Sequence, residues 1–137
     1  LAPKELMKEF RKAHQYTVFS VNTPMQLALA DFLNESEQYL KLSPFYQEKR
    51  DFFLEAIKGS RFKFHPAAGT YFQSLSFADI SDEKDTEFAI RLTKEFGVAS
   101  IPISVFYNIN HDEKMLRFCF AKSNETLSRA AEILNRI

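Results

Sequence analysis

Glycine and cysteine are scarce in this 137-residue chain and tryptophan is missing altogether: three Gly, one Cys, no Trp. A single cysteine closes no disulfide within the chain and builds no cysteine-based zinc cluster. Cys119 falls in an apolar, strand-like run, where a buried and inert thiol is expected. No two glycines lie close together, so the Gly-rich loops that cradle phosphates are absent. Ser74 and Ser76 lack the spacing of a nucleophile elbow, which leaves hydrolase chemistry without support. Charge of one sign is not in surplus either, with 18 basic and 18 acidic residues. Binding nucleic acid without sequence preference needs a positive excess to displace counterions, so no nucleic-acid partner is expected. No apolar run approaches membrane-spanning length and the first residues lack a signal-peptide pattern. No membrane partner is expected, and a reducing, cytoplasmic setting is the default. The chain opens on Leu1-Ala2-Pro3 without Met, and it is expected to be a piece of a longer protein.

Phenylalanine is abundant, with fifteen Phe and five Tyr in a chain that is 45% hydrophobic and 26% charged. That composition suits one domain with a sizeable core. Pro3 to about Gln15 reads as a helix, with Leu6, Met7, Phe10 and Ala13 at three-four spacing. Thr23-Pro24-Met25-Gln26 starts a second, Thr23 capping and Gln26 closing the box, and it ends near Glu35 or Ser36. Ser43-Pro44 starts a third, which Gly59 stops. The period then drops to two. Arg61–His65 and Thr70–Phe77 read as strands joined by a turn at Pro66–Gly69. Ser81 caps a further helix ending at Gly97, whose first turn holds Asp82 and Glu83. Ser104–Tyr107 and Met115–Phe120 read as two more strands, with a polar turn between them, and Ser123 or Asn124 caps the last helix. The order predicts an α+β fold with a mostly antiparallel sheet covered by helices.

Arg117 stands out, because it sits between apolar neighbours in the last strand. A charge in a half-buried strand costs several kcal/mol unless it is paired or faces a solvated cleft. Guanidinium is planar, permanently charged and forked, so its natural partner is a carboxylate. That carboxylate belongs either to the protein or to a ligand, and spacing alone leaves both open. His111, Asp112 and Glu113 invite a metal reading, but turn chemistry accounts for them and no second ligand pair has metal spacing, so no metal site is expected. His14 near a helix end and His65 before Pro66 read as structural. Asp79, Asp82, Glu83 and Asp85 read as an acidic helix start.

A series of motifs points further. Ala2-Pro3 precedes a helix and His14-Gln15. Then come Val18-Phe19-Ser20-Val21-Asn22-Thr23-Pro24-Met25-Gln26, Gly69-Thr70-Tyr71-Phe72, Gly97-Val98-Ala99-Ser100-Ile101-Pro102-Ile103-Ser104-Val105-Phe106 and Arg117-Phe118-Cys119-Phe120-Ala121-Lys122. In this order, over nearly the whole chain, they resemble the C-terminal part of class I/II aminotransferases. These are pyridoxal-phosphate (PLP) enzymes of fold type I, and the likeness is to their kynurenine and methionine aminotransferase branch. The resemblance implies that residues 1–42 end the large domain and supply connecting helices. Residues 43–137 would then be a long linking helix plus the small C-terminal domain.

By the same resemblance, Arg117 grips the substrate α-carboxylate through a two-pronged salt bridge and positions Cα for proton removal. Phe19 and Ser20 sit on a segment reaching the neighbouring subunit's substrate pocket in a homodimer, where an aromatic wall suits sulfur-containing or aromatic side chains. Simple core packing is the competing account of Phe19. The parent is expected to move an amino group between an amino acid and a 2-oxo acid, closing its small domain over substrate. The lysine that holds PLP covalently lies upstream of this chain in the family, as do the residues that hold the PLP ring. No catalytic or cofactor-binding residue is therefore expected among these 137. Ile103 departs from the glycine many relatives carry. The competing classes are a non-catalytic α+β interaction module and a diverged regulator with an aminotransferase-like domain.

Overall fold

The computed structural model describes residues 1–109 and 111–137. Their contacts divide the chain into two compact units, Leu1–Lys41 and Leu42–Ile137.

The first unit is three helices. Helix α1, Lys4–Thr17, follows Pro3, whose carbonyl accepts from the Met7 N–H at 2.9 Å. Helix α2 is Thr23–Phe32. Its cap is Asn22 rather than the expected Thr23: the Asn22 side chain accepts from the Met25 N–H at 3.0 Å, and Thr23 is already helical. The helix also stops earlier than expected. The Asn34 side chain bonds back to the Ala30 carbonyl at 3.1 Å, a local bond that competes with continued helix. A short helix that the periodicity did not suggest, α3, follows at Ser36–Leu40. None of the three contains a buried residue.

The second unit carries the core. Helix α4, Leu42–Ala56, leads to strand β1, Phe72–Ser76. Helix α5, Asp85–Arg91, runs on through a π turn, Leu92–Phe96, to Gly97 in the left-handed region at φ 73°. Strand β2 is Ile101–Pro102, a 3₁₀ turn occupies Ser104–Phe106, strand β3 is Met115–Cys119, and helix α6 is Asn124–Leu134. The sheet order is β1-β3-β2, antiparallel throughout, so β3 is central. The fold is α+β, as the element order predicts.

Alternation in β1 and β3 divides the sheet into two faces. Gln73, Leu75, Leu116 and Phe118 are buried on one. That face joins a core of Phe53 from α4 and Ile57 just after it, Phe88 and Leu92 from the α5 region, and Leu127, Ala131 and Leu134 from α6. Phe88 stacks on Phe77 with ring centroids 4.4 Å apart and meets Phe62 at 6.4 Å, which gives several of the phenylalanines their place. Helix α6 is tied to α4 at both of its own ends, Lys49 Nζ donating to Asn124 at 2.7 Å and Asn135 Nδ2 to the Ala56 carbonyl at 2.9 Å. On the opposite face Phe72, Ser74, Ser76, Met115, Arg117 and Cys119 are half-buried.

Four further expectations need correction. Arg61–His65 forms a single bridge, Lys63 to Ser76, instead of a strand. Pro66 has no N–H to continue it, and the Gln73 side chain takes both the His65 carbonyl and the Ala67 N–H. The expected strand Ser104–Tyr107 is absent: Ser104–Phe106 is the 3₁₀ turn, because Asp85 holds both polar hydrogens of Ser104. Ser81 does not cap α5, which starts four residues later; its hydroxyl bonds Glu83 at 2.6 Å. Cys119 is half-buried on the face away from the core.

Glu83 is paired with Arg91 by a bridge of 2.6 Å. The hydrogen bond from Arg91, then that from Ser81, holds its carboxyl below the usual range. A lowered folded-state value means the contribution is present above the ordinary carboxylate range and lost as pH falls through the lowered one. Glu83→Gln is expected to cost about 0.5–1 kcal/mol at neutral pH, for a partly solvated pair. In thermal unfolding from pH 7 to pH 2, the gap between variant and parent should close at the acid end.

Candidate functional site

The open face of the sheet has one charge at its centre. Arg117 lies in the middle strand, directly opposite Ser74 of β1 on one side and Ile101 of β2 on the other. Strand period two explains the orientation: with Leu116 and Phe118 committed to the core, Arg117 must face away from it. Its guanidinium carbon lies 4.1 Å from the ring centroid of Phe72 and 4.8 Å from that of Phe106. Two aromatic rings at this range attract a cation and restrict its rotamers. They accept none of its in-plane hydrogen bonds, and Nε is buried without a partner among the described residues. No Asp or Glu among those residues makes an ion pair with Arg117, whereas Arg50 and Arg91 each have one. The internal-carboxylate alternative thus finds no partner, and the guanidinium presents unused donors.

The loop before Phe72 is held from inside. Gln73 is 1% exposed on the core face, yet every polar atom of its amide is used. Its Oε1 accepts from the Ala67 N–H at 3.0 Å, and its Nε2 donates to the carbonyls of His65 and Ser74 at 2.9 Å each. Arg50 Nη1 adds a bond to the Ala67 carbonyl at 2.8 Å. A cleft of about 330 Å³ between α4 and residues 67–71 is lined by Tyr46, Arg50, Tyr71 and Phe120 but not by Arg117. The arginine is on the open sheet face, outside that cleft.

The other expected site residues belong to the first unit. Phe19 is 91% exposed and has φ 62°, a left-handed backbone that costs a non-glycine residue of order 1 kcal/mol. Ser20 is exposed, its N–H donating to the Val18 carbonyl at 2.7 Å. Core packing does not account for Phe19 within its own unit. The turn residues considered for a metal do other work. His111 Nε2 and Glu113 lie 3.0 Å apart, and Asp112 accepts from the backbone of Asp85 and Lys114. Among the described residues no three His, Cys, Asp or Glu gather closely enough to hold a metal ion. His65 contributes its carbonyl, and the His14 ring stacks on Phe10 at 6.0 Å.

Several residues that build this face escaped the sequence reading. Phe72 and Phe106 look like ordinary apolar residues in their runs. Asp85 reads as one acid among four at a helix start, but it is 1% exposed and accepts both hydrogen bonds of Ser104. The signal was available only as a pair: an Asp whose helix position explains its charge, and a Ser in an apolar run that needs a buried partner.

Arg117→Met is expected to leave thermal stability within about 1 kcal/mol of the parent, since no internal ion pair is lost. A loss of roughly 3–5 kcal/mol, the usual result of stranding a buried partner, would assign Arg117 to the scaffold.

Comparison with known proteins gives a consistent result. Residues 1–134 match the family described as aminotransferase class I and II. The chain is 48% identical over 138 residues to the methionine aminotransferase of Escherichia coli strain K12, covering 100% of this chain and 36% of that protein. The crystal structure of an E. coli protein identified as a methionine aminotransferase superposes with a TM-score of 0.92 at 48% identity, over 100% of this chain and 36% of that one. Human kynurenine–oxoglutarate transaminase 3 is 32% identical over 154 residues, covering 98% of this chain and 34% of that protein. N-succinyldiaminopimelate aminotransferase of Mycobacterium tuberculosis superposes with a TM-score of 0.85 at 30% identity, over 98% of this chain and 36% of that one. The chain spans about a third of the length of these relatives.

Proposed function

Because the chain belongs to the class I and II aminotransferase family, we propose that it supplies the substrate-carboxylate grip of an enzyme that transfers amino groups between an amino acid and a 2-oxo acid. One observation carries this: Arg117 is held by two aromatic rings, unpaired among the described residues, with Nε unsatisfied. An incoming α-carboxylate supplies what the arginine lacks, two oxygens in the plane of the fork. Bidentate binding fixes two points of the substrate and so orients Cα, an effect of position and not of bond chemistry. The apolar walls lower the local dielectric and make the pairing stronger than it would be in water.

Phe19 and Ser20 are the second element of the proposal. A fully presented aromatic ring on a left-handed backbone suits a wall of a neighbouring subunit's substrate pocket in a homodimer. The side chain it favours is a thioether or an aromatic ring, since sulfur and π faces both gain from contact with Phe. The similarity to a methionine aminotransferase agrees with that preference. The small unit 42–137, with Arg117 on its open face, is the part that closes over substrate.

PLP is the cofactor that the family implies. The lysines of this chain do not suit its covalent attachment. None of them is buried. The lysine that binds the cofactor is proposed to lie outside these residues, and no step involving the cofactor is assigned to them.

In the complete enzyme, Arg117→Ala should lower kcat/KM for an amino acid substrate about 10²-fold, equivalent to about 3 kcal/mol for two charge-assisted hydrogen bonds. Steady-state kinetics check this, and unchanged values would remove Arg117 from the site. Transamination by the 137-residue chain alone, supplied with PLP, is expected to be absent. PLP-dependent turnover by that chain would falsify the division of labour proposed here.

A further inference from the structure

We propose that Asp85 and Ser104 are positioning residues for Arg117. This rests on the reading of Arg117 as the carboxylate-binding group. Residue 85 is the common reference point for the two pieces of chain that make the site. Its side chain holds one. Asp85 Oδ2 accepts from the Ser104 N–H at 2.7 Å and Oδ1 from the Ser104 hydroxyl at 2.6 Å. Ser104 opens the 3₁₀ turn, and two residues later Phe106 puts its ring on the Arg117 guanidinium. The backbone of Asp85 holds the other. Its N–H donates to Asp112 Oδ2 at 3.0 Å, and Asp112 Oδ1 accepts from the Lys114 N–H at 2.8 Å. Lys114, at φ 56°, directs the chain into β3, and Arg117 is three residues on. The cation and one of its two rings are thus both measured from a single buried residue.

Energetics favour a positioning role over a stabilising one. Asp85 is 1% exposed, and no cation forms an ion pair with it among the described residues. A buried carboxylate held only by neutral donors is an expensive way to gain stability, because desolvation offsets much of the hydrogen-bond energy. Its specific capacity is to accept two bonds from one serine at a fixed angle. Asn at the same place offers one acceptor oxygen, so one Ser104 hydrogen loses its partner or the hydroxyl must rotate. The turn then drifts, and Phe106 no longer restrains the guanidinium. A fork out of register by about 1 Å costs binding of planar carboxylates far more than binding of ligands without one.

The test uses the complete, cofactor-loaded enzyme and two probes of like shape, 3-phenylpropionate with a carboxylate and 2-phenylethylamine without. Asp85→Asn and Ser104→Ala should each weaken 3-phenylpropionate by about tenfold and leave 2-phenylethylamine unchanged. Ser104→Thr, which keeps the hydroxyl, should recover most of the loss. Arg117→Lys is measured alongside. If it weakens 3-phenylpropionate while Asp85→Asn and Ser104→Ala bind like the parent, the positioning role is overturned and the Arg117 reading stands. If Arg117→Lys also binds like the parent, the Arg117 reading itself is lost. Equal weakening of both probes marks a general structural role and overturns the inference. Should Asp85→Asn fail to fold, Ser104→Ala decides alone, since the Ser104 N–H bond to Asp85 survives in it.

Discussion

A cation in the central strand of a three-stranded sheet is the constraint around which the second unit is arranged. The strand cannot turn Arg117 inward, because Leu116 and Phe118 on either side are needed in the core. It cannot leave the cation fully solvated either, because Phe72 and Phe106 cover it. Cation–π attraction returns about 0.5–2 kcal/mol and does nothing for the in-plane N–H groups. The result is a charge partly removed from water, sterically restrained and short of acceptors. Such a group is a standing cost in the free protein and a source of affinity once an anion with matching geometry arrives.

Two buried polar residues make that arrangement rigid, and both work by satisfying backbone instead of pairing with charge. Gln73 ties down residues 65–67 beneath the strand that presents Phe72. Asp85 ties down the turn that presents Phe106. Each lies at 1% exposure with its polar atoms engaged, the condition under which a buried polar group specifies a conformation. The two rings over Arg117 are therefore supported from opposite sides of the sheet order, one through β1 and the other through the connection after β2.

Period and capping chemistry make the helices of this chain legible before any coordinates. Pro3, Pro24 and Pro44 each mark a helix start, Gly97 marks a stop, and the stripe Leu127, Ala131, Leu134 is buried as its spacing implies. Arg117 was conspicuous because a charge interrupts an apolar strand. What local pattern could not show was competition for backbone groups by distant side chains. Lys63 keeps the alternation of a strand but loses its neighbours' hydrogen bonds to Gln73 and Pro66. Ser104 has the composition of a strand and is bent by a residue nineteen positions away. Asp85 illustrates the converse error, since a sufficient local explanation for an acid at a helix start concealed its burial.

The first unit poses the remaining physical problem. Its helices carry apolar side chains at helical spacing, among them Leu6, Phe10, Leu29 and Phe32, yet these are all exposed. Helices of this length are marginal in water and owe their stability to burial of an apolar face. The faces of α1 and α2 therefore require cover that the unit itself does not provide. Phe19 fits the same account, because a left-handed phenylalanine presented to solvent combines backbone strain with exposed apolar area. Neither cost is repaid inside the unit. Relief of both requires contacts that these three helices do not supply.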